Sequence, residues 1–419
     1  MKAIVLLALK SVWARRLTLG IALIAIAIAS ALLLFVERVR SDARTSFTQA
    51  ISGVDLVVGA RTGGVQLMLY AVFHAGSASN NIGWSSFETI ARHPAVDWAV
   101  PLSLGDAHRG FAVVGTRADY FQRLRYADGQ ALRFVAGGVF TDLFEAVIGS
   151  EVARTLGYRL DETITLSHGM EGFGPEHGDK PFRIVGILAA TGTPTDRSVF
   201  VSLEAISALH LDWAGGAPLP GLSIPPEHVR KFDLTPKEIT AALIGLKNRA
   251  EVFRVQRWIN DYRGEPLLAV MPGVALDELW QTLDVVEKTL FALSTLIVLV
   301  GLTGMSATLL ASLNERRREL AILRSLGAGA GAIVLMLTVE GLLVTTGGVL
   351  IGLTLLFGGS SLLAPLMQSE FGIHLAPRLF SANEALLLFA ILATGLLASL
   401  IPGLRALRMS LADGLTPRN

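Results

Sequence analysis

Cysteine is absent from all 419 residues. The chain therefore has no disulfide and no thiolate metal site, and a cysteine-free chain suits an oxidising compartment. Charge is scarce: 17% of residues are Asp, Glu, Lys or Arg, against about 25% in soluble domains. The formal net charge of +1 leaves no basic footprint for nucleic acid. No G-x-x-x-x-G-K-[ST] run occurs, so the sequence carries no phosphate-binding loop. Ser, His and Asp are present, but no nucleophile elbow accompanies them, which disfavours hydrolytic catalysis. No internal repeat of fixed period is visible.

What the sequence has instead is long uncharged runs. Leu17–Val36 is uncharged and holds twelve Leu, Ile, Val or Phe. A helix of that length matches the hydrocarbon thickness of a bilayer. Those apolar residues favour insertion by about 4–7 kcal/mol. A cleaved signal peptide is the rival reading, but its apolar region is shorter, about 7–15 residues. Further runs cover Thr289–Asn314, Gly331–Ser360 (interrupted only by Glu340) and Ala385–Leu404.

Basic residues orient the spans. Lys2, Lys10, Arg15 and Arg16 precede the first. Arg316, Arg317, Arg318 and Arg324 lie between the second and third, and Arg405, Arg408 and Arg418 follow the fourth. The positive-inside rule places all three groups in the cytoplasm, and four spans with both ends inside agree with it. The expected layout is a cytoplasmic N-terminus (1–16), spans at 17–36, 289–313, 331–360 and 385–404, and a periplasmic domain at 37–288. A cytoplasmic link (314–330), a short periplasmic loop (361–384) and a cytoplasmic C-terminus (405–419) complete it. The fold class is an α-helical membrane protein with four transmembrane helices, one plus three, and a large α+β domain between the first two.

Within 37–288, Val36, Val39, Ala43, Phe47 and Ala50 recur at helical spacing, and Leu276, Leu279, Leu283, Val286 and Leu290 follow a heptad. Both patterns predict helices that continue the spans outward as a stalk. Strands are predicted at Val54–Gly59, Phe111–Gly115, Thr163–Leu166 and Phe182–Leu188. Helices are predicted at Trp84–Arg92, Ser150–Gly157 and Leu203–Leu209, and an irregular loop at Gly215–Pro226. Thr235, Pro236 and Glu238 read as a capped start to a helix over Ile239–Lys247.

The link Glu315–Ala328 is rich in helix formers and ends at Gly327, a C-cap residue. It predicts a short amphipathic helix with an apolar ridge of Leu320, Leu323 and Leu326. From pattern alone, such a helix either lies on anionic lipid or docks into a partner protein.

This link resembles the one between the second and third spans of the FtsX-like permease family, which includes the MacB and LolC/LolE membrane subunits. An acid-bearing, Gly-rich helix follows it here as in that family: Val334–Glu340, then Gly347, Gly348 and Gly352. The tail Pro402-Gly403-Leu404-Arg405-Ala406-Leu407-Arg408 is similar to the family's, as are Ile148–Gly157 and Phe182–Leu188 of the external domain. The resemblance implies a type VII ABC system in the cell inner membrane: two copies of the permease with two ATPase subunits. The permease itself would be non-catalytic and bind no cofactor directly, with ATP and Mg2+ held by the partner ATPase. It also implies an ATPase-coupling helix that uses Glu315, Arg316, Arg318, Glu319, Leu320, Leu323, Arg324, Leu326 and Gly327. Expected further partners are a periplasmic adaptor, lipoprotein or hydrolase, and membrane lipid. The function implied is export or extraction of a substrate at the periplasmic face. The alternative is a mechanotransmission scaffold that transports nothing and regulates a partner such as a cell-wall hydrolase.

Glu340 is an intramembrane acid, costing about 2.5–3.5 kcal/mol at a helix centre unless it pairs near the interface. Gly301, Gly304, Gly348 and Gly352 are expected to pack helices closely. His168 and His177 sit on a Gly-rich stretch with carboxylates nearby, followed by His210 and His228. They are candidate metal ligands by residue type. No two His lie four apart, so the pattern favours a solvated loop with no metal.

Overall fold

The computed structural model describes residues 2–76, 78, 80–127, 129–169, 175–214, 217–219, 224–315, 317–371 and 380–407. The chain forms two compact units: Met1–Ala43 with Asp284–Asn419, and Arg44–Leu283.

The first unit is helical. Among the described residues, four helices hold stretches long and apolar enough to cross a membrane: Arg16–Thr45, Pro272–Leu313, Ala330–Ala364 and Ala382–Ala406. A further helix, Lys2–Ala14, precedes them where the sequence pattern predicts only a tail. Leu19, Ala22, Ile26 and Ala29 of the first long helix share a core with Leu302, Met305 and Leu309, Val344 and Val349, and Ile391. The pattern predicts a loop over 361–384, but the third long helix continues to Phe371. Leu362, Leu363, Leu366 and Met367 are good helix formers and carry it onward.

The first two long helices extend well beyond a bilayer's thickness, over Arg16–Gln49 and Pro272–Glu315. Within the second unit Phe47 meets Trp280 edge-on at 5.6 Å between ring centroids, and Phe73 at 4.5 Å. Ala275 and Leu276 are buried in the same cluster.

The second unit is built on an eleven-stranded mixed sheet. Its main order is Leu267–Val270, Leu56–Ala60, Ala241–Leu246, Val96–His108, Phe111–Thr116, Ser198–Ser202, Glu145–Ile148, Phe182–Leu188 and Phe134–Gly137. The long strand Val96–His108 joins its two halves. Residues 96–102 pair with Ala241–Leu246, and 103–108 with Phe111–Thr116. Between Leu104 and Asp106 the register slips by one residue at Gly105, whose φ of +153° suits glycine. This bulge re-aims the strand's last residues. Ser167–His168 pairs against that end, with His168 directly opposite Asp106.

The helix predicted over Ile239–Lys247 is not there; Ala241–Leu246 is a strand, buried at every position. A central strand covered on both faces reads as an unbroken apolar run, and periodicity alone cannot distinguish it from a buried helix. The predicted strand Thr163–Leu166 shortens to Thr163–Ile164. The predicted Phe182–Leu188 strand and Leu203–Leu209 helix form over those residues.

Candidate functional site

The link helix spans Arg317–Ser325. Arg316 lies outside the described residues, and Glu315 ends the second long helix. Gly327, at φ +94°, closes the turn, and the Ala328 N–H donates back to the Leu323 carbonyl at 3.0 Å. Glycine adopts that left-handed conformation without strain.

The predicted ridge does not lie on one face. Leu320 is buried with Ala8, Leu313, Ile333, Leu337 and Ala406, and Leu323 packs half-buried beside them. Leu326 is 80% exposed. At 100° per residue, two steps of three turn by about 120° around the helix, enough to send the third leucine outward. The free apolar pair is instead Ile322, 50% exposed, and Leu326. Four residues separate them, so they share a face. Arg318 and Glu319 are exposed on the preceding turn, while Arg324 is half-buried and donates to the Ala406 carbonyl at 3.4 Å. The link helix thus has its inner face held by its own unit and presents Ile322 and Leu326 outward.

Glu340 is fully buried, and Ser11 of the N-terminal helix donates to its Oε1 at 2.9 Å. Gly348 and Gly352 lie against the first long helix. A Cβ at Gly348 would sit 2.8 Å from Ile26 Cγ2, and one at Gly352 would sit 2.3 Å from Ser30 Oγ and 2.8 Å from the Ala27 carbonyl oxygen. Gly301 approaches the same helix at ordinary contact distance, and Gly304 faces open space.

In the second unit the solvated-loop expectation fails at His177, which is fully buried. The fold brings His168 and His177 together with Asp106 and His210, one donor atom of each within 4.8 Å of the others. Burial by itself would raise the Asp106 pKa. The imidazoles of His168, His177 and His210 outweigh it and hold the carboxyl well below the usual range. Asp106 raises the pKa of His168 in turn. His108, two residues along the strand, is tied elsewhere, to the Thr165 carbonyl at 2.6 Å and the Tyr158 hydroxyl at 3.0 Å. Sequence reasoning missed Asp106; an acid within an apolar strand, beside a glycine, was the available signal.

A family model described as the MacB-like periplasmic core domain matches residues 17–241, more than half of the chain. The chain belongs to the MacB-type, FtsX-like permease family. A second model, the FtsX-like permease C-terminal region, matches residues 291–411. Among curated proteins, the chain is 26% identical over 234 residues to the macrolide export ATP-binding/permease protein MacB of Azoarcus sp. (strain BH72). That match covers 55% of this chain and 32% of the relative, so the chain spans about a third of the relative's length. Two solved structures align with part of the chain. The periplasmic region of MacB from Actinobacillus actinomycetemcomitans aligns at 12% identity and a TM-score of 0.32, over 56% of this chain and 94% of that one. The extracellular domain of the noncanonic ABC-type transporter YknZ from Gram-positive bacteria aligns at 11% identity and 0.28, over 52% and 98%.

Proposed function

We propose that this chain is the membrane subunit of an ABC system in the inner membrane, driven by an ATPase carried on a separate polypeptide. Family membership supports the permease role. ATP and Mg2+ then belong to the partner. The basic residues of the N-terminus, link and C-terminus support a cytosolic location for those three segments, with the MacB-like domain in the periplasm.

One observation carries the docking proposal: the outward apolar pair Ile322 and Leu326, with Arg318 and Glu319 one turn away, on a helix whose other face is buried in its own unit. An apolar pair rimmed by charge is suited to a protein cleft. The helix is also packed against Ile333, Met336 and Leu337 of the third long helix, so a push on it moves the bundle rather than bending a loop. Family membership supports an assembly of two permeases with two ATPases. The substrate is one handled at the periplasmic face, exported or extracted there.

Co-expression with the ATPase tests this reading. Ile322→Asp/Leu326→Asp is expected to leave the permease inserted and folded while the ATPase no longer co-purifies. Unchanged co-purification would contradict it. Leu320→Asp is the wrong probe, because that side chain belongs to the core.

A further inference from the structure

Asp106 and His168 face each other across two paired strands. Ser167 bridges to Glu176 in antiparallel fashion, and the His177 N–H donates to the Leu166 carbonyl at 2.8 Å. That pairing carries His177 into the same pocket. His210 arrives from the end of the helix Leu203–Leu209, where it is the C-cap residue. Three separate segments thus deliver three imidazoles and one carboxylate to a single point.

The spacing is that of ligands around one ion. Asp106 Oδ1 stands 3.2 Å from His168 Nδ1, 3.5 Å from His210 Nε2 and 3.8 Å from His177 Nε2. His210 Nε2 is 3.2 Å from His168 Nδ1. A zinc ion about 2.0–2.1 Å from each of four tetrahedral donors sets those donors about 3.3 Å apart.

Two further observations point to a ligand. Among the described residues, neither ring nitrogen of the fully buried His177 finds a hydrogen-bond partner. Its 3.8 Å approach to Asp106 is too long for one, yet suits two donors that share a cation. The Asp106 carboxylate is 2% exposed, and the groups that face it among the described residues are the three imidazoles, which as metal ligands would be neutral. A buried carboxylate requires a compensating positive charge. The nearby Lys180 does not supply it, being engaged with Asp212 at 2.8 Å and 3.0 Å.

The surroundings fit as well. The His210 Nδ1–H donates to the Ile206 carbonyl at 2.9 Å, which fixes the tautomer that turns the Nε2 lone pair toward the cluster. Such outer partners orient metal-ligating histidines. The Trp213 ring lies against the cluster, 4.1 Å from the His177 ring centroid. His168 and His210 remain about one-third exposed, giving an ion a way in.

We infer that Asp106, His168, His177 and His210 form a binding site for a divalent transition-metal ion, with zinc the best match to three imidazoles and a carboxylate. A bound ion ties the end of the long central strand to the Ser167 hairpin and to the helix bearing His210, so it stabilises this half of the domain. The inference stands independently of the docking proposal.

The test uses the full chain in detergent, stripped with a chelator and titrated with zinc chloride by calorimetry, with elemental analysis after dialysis. One zinc per chain and a rise in melting temperature are expected. Substitution with Co2+ should give the visible absorption of a tetrahedral site. His177→Gln and Asp106→Asn should weaken binding beyond the ~10–100-fold that loss of an outer-shell partner costs. Because those two side chains are buried, the partly exposed pair His168→Gln/His210→Gln is the second probe and should show the same loss with the fold intact. His228→Gln, exposed and outside the cluster, should bind as the parent does. Less than one ion bound by the parent, or parental affinity in His168→Gln/His210→Gln, would overturn the assignment.

Discussion

Arg38 and Glu384 form a buried, two-pronged ion pair: Arg38 Nε to Glu384 Oε1 at 3.0 Å and NH2 to Oε2 at 3.2 Å. Arg38 belongs to the first long helix, and Glu384 opens the last. Glu384 also closes a capping box, its Oε2 accepting from the Ser381 N–H at 2.9 Å while its own N–H donates to Ser381 Oγ at 3.1 Å. The Arg38 guanidinium stacks 5.1 Å from the Phe357 ring centroid of the third long helix. One side chain thus fixes three helices of the membrane unit.

Stranding either charge should be costly. Breaking a buried pair typically destabilises by about 3–5 kcal/mol. Arg38→Met is expected to lower the melting temperature of the detergent-solubilised chain sharply. Arg38→Met/Glu384→Gln, which keeps the capping box, should recover most of the loss. A double variant as unstable as the sum of the two single variants would contradict the pairing.

Glycine packing is tested by contrast. Gly352→Val drives a side chain into Ser30 and the Ala27 backbone, and overpacking of this kind costs about 1–3 kcal/mol. Gly304→Ala meets nothing within 4 Å and should be neutral. Monodispersity and melting temperature separate the two, and equal behaviour would refute close packing at Gly352.

His74 predicts an acid-side instability. Burial holds its pKa down from 6.5 to about 4, and its Nδ1 lies 2.7 Å from Ser198 Oγ. Above pH 6.5 the imidazole is neutral whether the chain is folded or not, and its contribution is complete. As pH falls from 6.5 toward 4, the unfolded chain takes a proton that the fold refuses, and stability is lost. His74→Gln should flatten this part of the stability–pH curve, measured by chemical denaturation of the full chain. An unchanged slope between pH 6.5 and 4 would contradict it.

Local chemistry made much of this architecture readable. The uncharged runs stand out because a bilayer demands them, and β-branched Phe182–Leu188 lies between breakers. Ala241–Leu246 misled because burial on both faces erases the alternation that marks a strand. Leu320 and Leu326 looked equivalent because spacing of three drifts around the helix without any change in composition. The metal-type cluster was hidden for a topological reason: Asp106 and His168 are 62 residues apart in sequence, and only strand pairing across the Gly105 bulge makes them neighbours. The pairing of Glu384 with Arg38, 346 residues away, left no local signal in the sequence.

The central claim is that the link helix receives a nucleotide-driven partner through Ile322 and Leu326. Its most direct test is a photo-crosslinking residue placed at position 326 and activated in intact cells. The account predicts a covalent adduct with a nucleotide-binding ATPase. Irradiation that yields only lipid adducts would contradict it.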